Sequence, residues 1–212
     1  MDVNFRHSNR NSRPDAADCD RSVGHRMKSH NRPPPPSRRP PYEMLGLPPS
    51  VWWVRSLITW SETPAHSWLE VSVGSDAFKA ILAEKDGLQT WAGLMAHWQE
   101  QDYFLCGYDP TRDHEPAICL TLDFADADFT NLFLAGVDLR FAWLNRANFA
   151  GASLECAMFD CSHISATDFS KAQMVGASFL YCMYHPEHPP RGLCQEVMAH
   201  YGVTEDPAVP FD

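Results

Sequence analysis

Long apolar runs are missing from this sequence. Neither the N-terminal "MDVNFRHSNRNSRPDAADCDRSVGHRMKSH" nor any later stretch has the apolar core of a signal peptide or the length of a membrane span, so a cytoplasmic protein without membrane contact is expected. Cysteine is not patterned for pairing. Its seven copies, an odd number at irregular spacing, fit reduced thiols better than a secreted disulfide framework. Also absent are a GxSxG elbow, a phosphate-binding glycine loop and an HExxH helix. The expectation is a non-enzyme, with no catalytic residue, no metal and no cofactor.

Branched aliphatics are scarce in residues 1–42, which hold nine Lys and Arg against four Asp and finish in "RPPPPSRRPPY". Such a segment cannot bury enough apolar area to offset chain entropy, so it reads as a disordered basic arm ending in a stiff polyproline stretch. The other residues carry eight basic against twenty-three acidic side chains. Two physically different regions are therefore joined, and nucleic acid is not expected as a partner except through the arm.

Residues 43–115 suggest a small helical or α+β region. "SVWWVRSLITW" could open a helix capped by Ser50, and "WLEVSV" alternates Leu69, Val71 and Val73 as a short strand would. Ser75 is placed to cap a helix carrying Phe78, Ile81 and Leu82, with Gly87 ending it. A second helix carries Leu88, Trp91, Leu94, Met95 and Trp98 on one face. The Trp and Met of this region read as core.

From Phe124 onward a large apolar residue stands at every fifth position: Phe124, Phe129, Leu134, Leu139, Leu144, Phe149, Leu154, Phe159, Ile164, Phe169, Met174 and Phe179. All twelve are Phe, Leu, Ile or Met, although those types form about a fifth of the chain. Helices repeat every 3.6 residues and strands every two, so neither fits. Two residues before each comes Leu122, Ala127, Leu132, Val137, Ala142, Ala147, Ala152, Ala157, Ser162, Thr167, Ala172 or Ala177, and Asp or Asn often lies between, as at Asp123, Asp128, Asp138, Asn148 and Asp168. Along an extended chain, positions two apart share a side, so the small and large residues face inward and the polar one outward. The two remaining residues must turn the chain. Four such faces close a square coil, and coils that cannot bury their own interiors stack.

The stretches "ADFTN", "VDLRF", "ANFAG" and "ASLEC" resemble the pentapeptide-repeat family. The resemblance implies a mainly β solenoid, a right-handed quadrilateral β-helix, over residues 122–181, and a bacterial protein. "GLQTWAGLMAHWQEQ" is similar to a helix that introduces such repeats. At four faces per turn the twelve faces make about three coils, rising roughly 14 Å at the usual strand spacing. So short a stack needs both ends covered. Residues 43–115 supply one cap before the repeat domain 116–184, and residues 185–212 the other, through a short helix in "PPRGLCQEVMAHYG" with Pro190 near its start; residues after Tyr201 read as frayed.

Stacking by twenty aligns Phe141, Cys161 and Tyr181 in one outward column, with Met158 and Leu180 on the same face and Trp143 and Met183 opening the next. An apolar outer wall implies a contact surface, covered by the chain itself or by a protein partner, a homodimer included. Phe133, Trp143, Met158, His163 and Gln173 replace the outward Asp or Asn. Asp126 stacks beneath Arg146 as a surface ion pair.

A protein-interaction or scaffold module is the reading this supports. The resemblance also offers DNA mimicry directed at a topoisomerase, but residues 122–184 hold seven acids and three bases, whereas roughly 14 Å of duplex would carry about eight negative charges. A secreted effector with the arm as export signal is a further alternative. "CMYHPEHPPRGLC" gathers Cys182, His185, His188 and Cys194 in zinc-ligand types, but Cys182 holds an inward repeat position and the spacing matches no standard site, so the metal reading is set aside.

Overall fold

The computed structural model describes residues 44–62, 69–101, 103–104, 118–209 and 211. The arm, residues 1–42, lies outside them, as does most of the segment between the second helix and the first strand of the coil. Among the described residues no helix is long and apolar enough to cross a membrane.

The chain enters through a 3-10 helix, Pro49–Leu57, and turns into strand β1, Ile58–Glu62. Pro48 occupies the cap position and Ser50 lies inside the helix, because prolines at the start supply the fixed φ that the first turn needs. β2, Leu69–Gly74, runs antiparallel to β1 and buries Leu69, Val71 and Val73. Helix α1, Ser75–Leu82, begins directly at Ser75, with Gly74 as its cap and no side-chain capping bond. Helix α2, Gly87–Glu100, begins at Gly87, so this glycine starts the second helix and does not end the first. The physical reason is proximity: a Cβ there would stand 2.4 Å from the Ile81 carbonyl oxygen, so only glycine lets the two helices join so tightly. Trp91 and Trp98 are buried, but Trp52 and Trp53 are exposed, which corrects their reading as core. The apolar side chains of the 3-10 helix are split, with Val51 and Val54 inward and Trp52, Trp53 and Leu57 exposed.

β3, Ile118–Asp123, pairs in parallel with β2 and delivers the chain into the coil, where β4, Ala142–Trp143, pairs with it in turn. From there the residues at the polar position of the frame, from Asp128 to His163, bridge in parallel to the one twenty residues on, as in Asp128 to Asn148, Asn148 to Asp168, Phe133 to Ser153 and Ser153 to Gln173. Each five-residue unit is built alike. The Phe124 carbonyl accepts from the Ala127 N–H at 3.2 Å, and the same closure recurs from Phe129 to Leu132, Leu134 to Val137 and onward. Two residues after every large residue φ is positive, from Asp126 through Asn131, Gly136 and Phe141 to Tyr181. A closed turn with positive φ at its third residue is a type II turn, and it is what converts a five-residue period into a corner.

Eleven of the twelve large residues are fully buried or nearly so, and Met174 is half-buried. Their rings stack coil on coil: Phe129 on Phe149 at 4.8 Å, Phe149 on Phe169 at 5.4 Å, Phe159 on Phe179 at 4.9 Å. Neighbouring columns meet edge to face, as at Phe149 and Phe159. Most small positions are buried too, but Leu132 is exposed and Ala172 half-buried, so the inward placement of that pair is corrected. Where the small residue carries a polar atom it bonds a carbonyl of the coil before: Ser162 Oγ to Leu139, Thr167 Oγ1 to Leu144, Cys182 Sγ to Phe159.

Phe78 lies against Phe124 at 5.0 Å and Phe129 at 5.6 Å, and Trp91 against Phe124, so α1 and α2 sit on the first coil. At the far end helix α3, Gln195–Tyr201, places Tyr201 against Phe179, and the Tyr201 hydroxyl donates to the Ala177 carbonyl. This helix starts five residues after Pro190, with Cys194 as its cap. Gly202 ends it with φ of 66°, and the chain returns as β6, Thr204–Glu205, in parallel with β5, Met183–Tyr184. The described residues from Gly202 to Val209 are therefore not frayed. They add one more extended layer to the last coil, and Val209 is buried beyond it.

Candidate interaction surface

The outward positions divide by what they do for the turn. Asp123, Asp128, Asp138, Asn148 and Asp168 each accept through Oδ1 from the N–H two residues on, at 2.8 to 3.3 Å. Their side chains cap the corners, which is why short polar residues recur there. Side chains without that reach are free of the duty, and Phe133, Trp143, Met158, His163 and Gln173 occupy such positions.

Along the outer wall the structure separates what is covered from what faces solvent. Phe141 is half-buried because the Phe104 ring stacks on it at 5.1 Å. Met183 is half-buried within β5, beneath β6, and Met158 and Cys161 are half-buried in the wall. Trp143 is 38% exposed, Leu180 43% and Tyr181 39%. Trp143 stacks flat on His163 with ring centres 5.5 Å apart, so one face of the indole is held and the rest is presented. The chain's own segments thus cover the two ends of the wall, and Trp143, Leu180 and Tyr181 are what remains open. Phe133 and Val175 are exposed apolar residues elsewhere on the coil, and Trp52, carrying the Arg55 guanidinium over its ring, stands exposed with Trp53 on the N-terminal cap. The paired tryptophans of "SVWWV" were a legible signal for such a surface, because a 3-10 helix of this shape cannot bury both.

Charge on the walls is largely engaged. Arg146 holds Asp126 through Nε to Oδ1 at 2.6 Å and Nη2 to Oδ2 at 2.8 Å, and that hydrogen-bonded pair lowers the Asp126 carboxyl. Arg140 holds Asp138 through Nη2 to Oδ2 at 2.6 Å and also donates to Gln99 Oε1 at 2.9 Å, tying α2 to the coil. Asp160 accepts from Ser178 Oγ and from the Leu180 N–H. The two buried thiols do not point to chemistry: burial, with Glu70 nearby, pushes Cys119 up to about 11, and burial pushes the Cys182 thiol far above its usual range. Cys182 faces inward, and Cys194 is exposed at the start of α3, so neither thiol joins a cluster with His185 and His188.

The family model for pentapeptide repeats matches residues 123–157 and 134–170, in eight copies. A crystal structure of a pentapeptide repeat protein from Nostoc Pcc 7120 is 19% identical, with a TM-score of 0.22, over 42% of this chain and 84% of that one. No curated protein matches the sequence.

Proposed function

From the premise that the chain is a pentapeptide-repeat protein, with the β-helix those repeats form, we propose that it is a non-enzymatic protein-interaction or scaffold module. In this reading residues 122–181 form a right-handed quadrilateral β-helix of about three coils. The flanking regions 43–115 and 185–212 act as its caps. Its contact face is the outer wall marked by Trp143, Leu180 and Tyr181, with Met158 and Cys161 beneath.

The observation that carries the reading is that large apolar side chains stand exposed at positions the fold leaves open. The interior and the corners are already satisfied without them, and an apolar outer patch without a structural duty is what a contact surface looks like. The twelve-residue ladder from Phe124 to Phe179 specifies architecture only. DNA mimicry is the weaker reading: Asp126 and Asp138 are neutralised by Arg146 and Arg140, which lowers a line density already short of duplex DNA.

The test uses full-length protein, wild type and with Trp143, Leu180 and Tyr181 all changed to Ser, in quantitative affinity capture and in light scattering after size exclusion. A partner, or a homodimer, that is present with wild type and lost with the triple variant is the expected result. Val175→Ser, another exposed apolar site, should leave it intact. Equal recovery from wild type and triple variant would remove this face from consideration, and a topoisomerase in the wild-type eluate would favour mimicry.

A further inference from the structure

The regular stacking of the coil breaks at one place that the fold itself does not need. The Ile164 N–H donates to the Met183 carbonyl, nineteen residues on, which is the spacing found throughout the coil. The next bond, from the Ala166 N–H, goes to His188, twenty-two residues on, and the Phe169 N–H likewise reaches Arg191. Three extra residues have been accommodated inside "YHPEHPPR", after which Arg191 resumes the ladder opposite Asp168. Uninserted units close their corners without them.

The insertion forms a held turn. The His188 N–H donates to the His185 carbonyl at 2.8 Å, with Pro186 fixing the second position. Both ends are tied to the coil beneath, through the His185 N–H to Ser165 Oγ at 2.9 Å and the Ala166 N–H to the His188 carbonyl at 2.7 Å. The two imidazole rings lie 5.4 Å apart, and the His188 ring is stacked on Phe211. His185, Glu187 and His188 each bring one donor atom within 4.8 Å of the others.

We propose that this turn is a binding site for a divalent cation of the zinc class, held by His185, Glu187 and His188. Two imidazole nitrogens and one carboxylate oxygen form a borderline donor set, which suits zinc and its first-row neighbours and does not suit magnesium or calcium, whose sites are built from oxygen. Donors around zinc in a tetrahedral site stand about 3.4 Å apart, given bonds of about 2.0–2.2 Å. Closing from separations of at most 4.8 Å asks for small side-chain rotations, for which Glu187 is exposed on a flexible stem. The prolines and backbone ties hold the two histidines in place before the ion arrives. Three protein ligands leave one position of a tetrahedral site for water.

Full-length protein stripped with chelator and dialysed would be titrated with zinc by calorimetry, and with cobalt followed by visible absorption. Binding of one zinc at this turn, with tetrahedral cobalt bands, is the expected result. Glu187→Gln should weaken zinc by at least about tenfold, since even outer-shell groups command that much. His188→Phe keeps a ring against Phe211 and should abolish the cobalt bands, while His200→Gln, at an exposed histidine outside the turn, should change nothing. Circular dichroism confirms that the variants are folded, and Glu187 is exposed at the tip of the turn, so its change leaves the packing alone. Absence of zinc binding, or binding indifferent to both Glu187→Gln and His188→Phe, would overturn the assignment.

Discussion

In the coil, from Phe124 to Tyr181, a residue's surroundings follow from its place in a five-residue unit; in the two end regions they follow from single contacts made once. Phe149 is buried because Phe129 lies on one side, Phe169 on the other and Phe159 at its edge, an arrangement that the neighbouring units repeat. Trp98 is buried edge-on against Trp91, with its indole N–H aimed at the Leu45 carbonyl at 2.8 Å, and Trp91 is buried edge-on against Phe78, with its own N–H on the carbonyl of Asp138. The repeated part gains its stability from many equivalent layers, each seated on the last. The end regions depend on a few polar handles that aim large aromatic side chains onto the open coil. Loss of one layer should therefore be costly everywhere in the coil in much the same way, whereas losses at the ends should vary with the particular contact.

The sharpest test is at the centre of the coil. Phe149→Ala removes a ring stacked on both sides and should destabilise the chain by about 3–5 kcal/mol in urea unfolding. Phe159→Ala, with Phe179 stacked on it, should cost a similar amount if the layers are equivalent. A difference between them larger than about 2 kcal/mol would break the picture of equal layers.

Glycines separate the two regions next. Gly192, with φ of 82°, lies where the chain rejoins the stack after the inserted turn, and a Cβ there would stand 2.6 Å from the backbone carbon of Phe169. Backbone cannot yield as a side chain can, so Gly192→Ala should cost about 2–5 kcal/mol, the sum of a left-handed penalty and overpacking. Gly136, with φ of 70°, has open space around the same added atom, and Gly136→Ala should cost only about 1 kcal/mol. Equal effects in thermal melts would mean that the coil corner is as crowded as the junction.

These glycines also mark how far the sequence was legible. The frame itself was plain, because the large residues and the small ones two positions earlier obey one spacing through every face. The corners were not, because only Gly136, Gly151 and Gly176 announce a positive φ, and the other nine corners carry residues as unlike as Asn131, Ala166 and Tyr181. What makes those corners tolerable is supplied elsewhere, by the capping Asp or Asn and by the ladder to the next coil, and a scan for turn residues does not see it. Single contacts were harder still. Gly87 looks like a helix terminator by composition, and only the neighbouring Ile81 carbonyl shows why a helix must begin there. β6 is too short for alternation to register, and the three-residue insertion at His185–His188 is invisible until the hydrogen bonds are counted against the coil. Of the contact face, the columns could be aligned by twenties, but that Phe104 covers Phe141 while Trp143, Leu180 and Tyr181 stay open needed the fold.

At the N-terminal cap, Trp98→Phe keeps most of the ring and deletes the indole donor, leaving the Leu45 carbonyl without that bond in a buried site. The expected loss is about 1–3 kcal/mol, between the interior layer and the open corner. A loss below about 0.5 kcal/mol would mean that this handle does not hold the cap, and that burial alone does so.

The smallest effect concerns the other end, where coil and cap share a titratable group. His163 stands in the wall between Trp143 and Met183, stacked on the indole, with its Nδ1 buried and without a hydrogen-bond partner among the described residues. Burial lowers the imidazole below its ordinary 6.5, against the opposing pull of the Asp206 carboxylate from the segment after β6. Its folded value is depressed, so the unfolded chain takes up the proton first as pH falls. The neutral group contributes nothing against folding above 6.5, and stability is lost as pH drops from there toward the folded value. Thermal melts across that window should fall more steeply for wild type than for His163→Phe, which keeps the stacking on Trp143 and cannot titrate. Parallel pH profiles would show that the site opens to solvent without cost, and that the C-terminal segment does not seal the last coil.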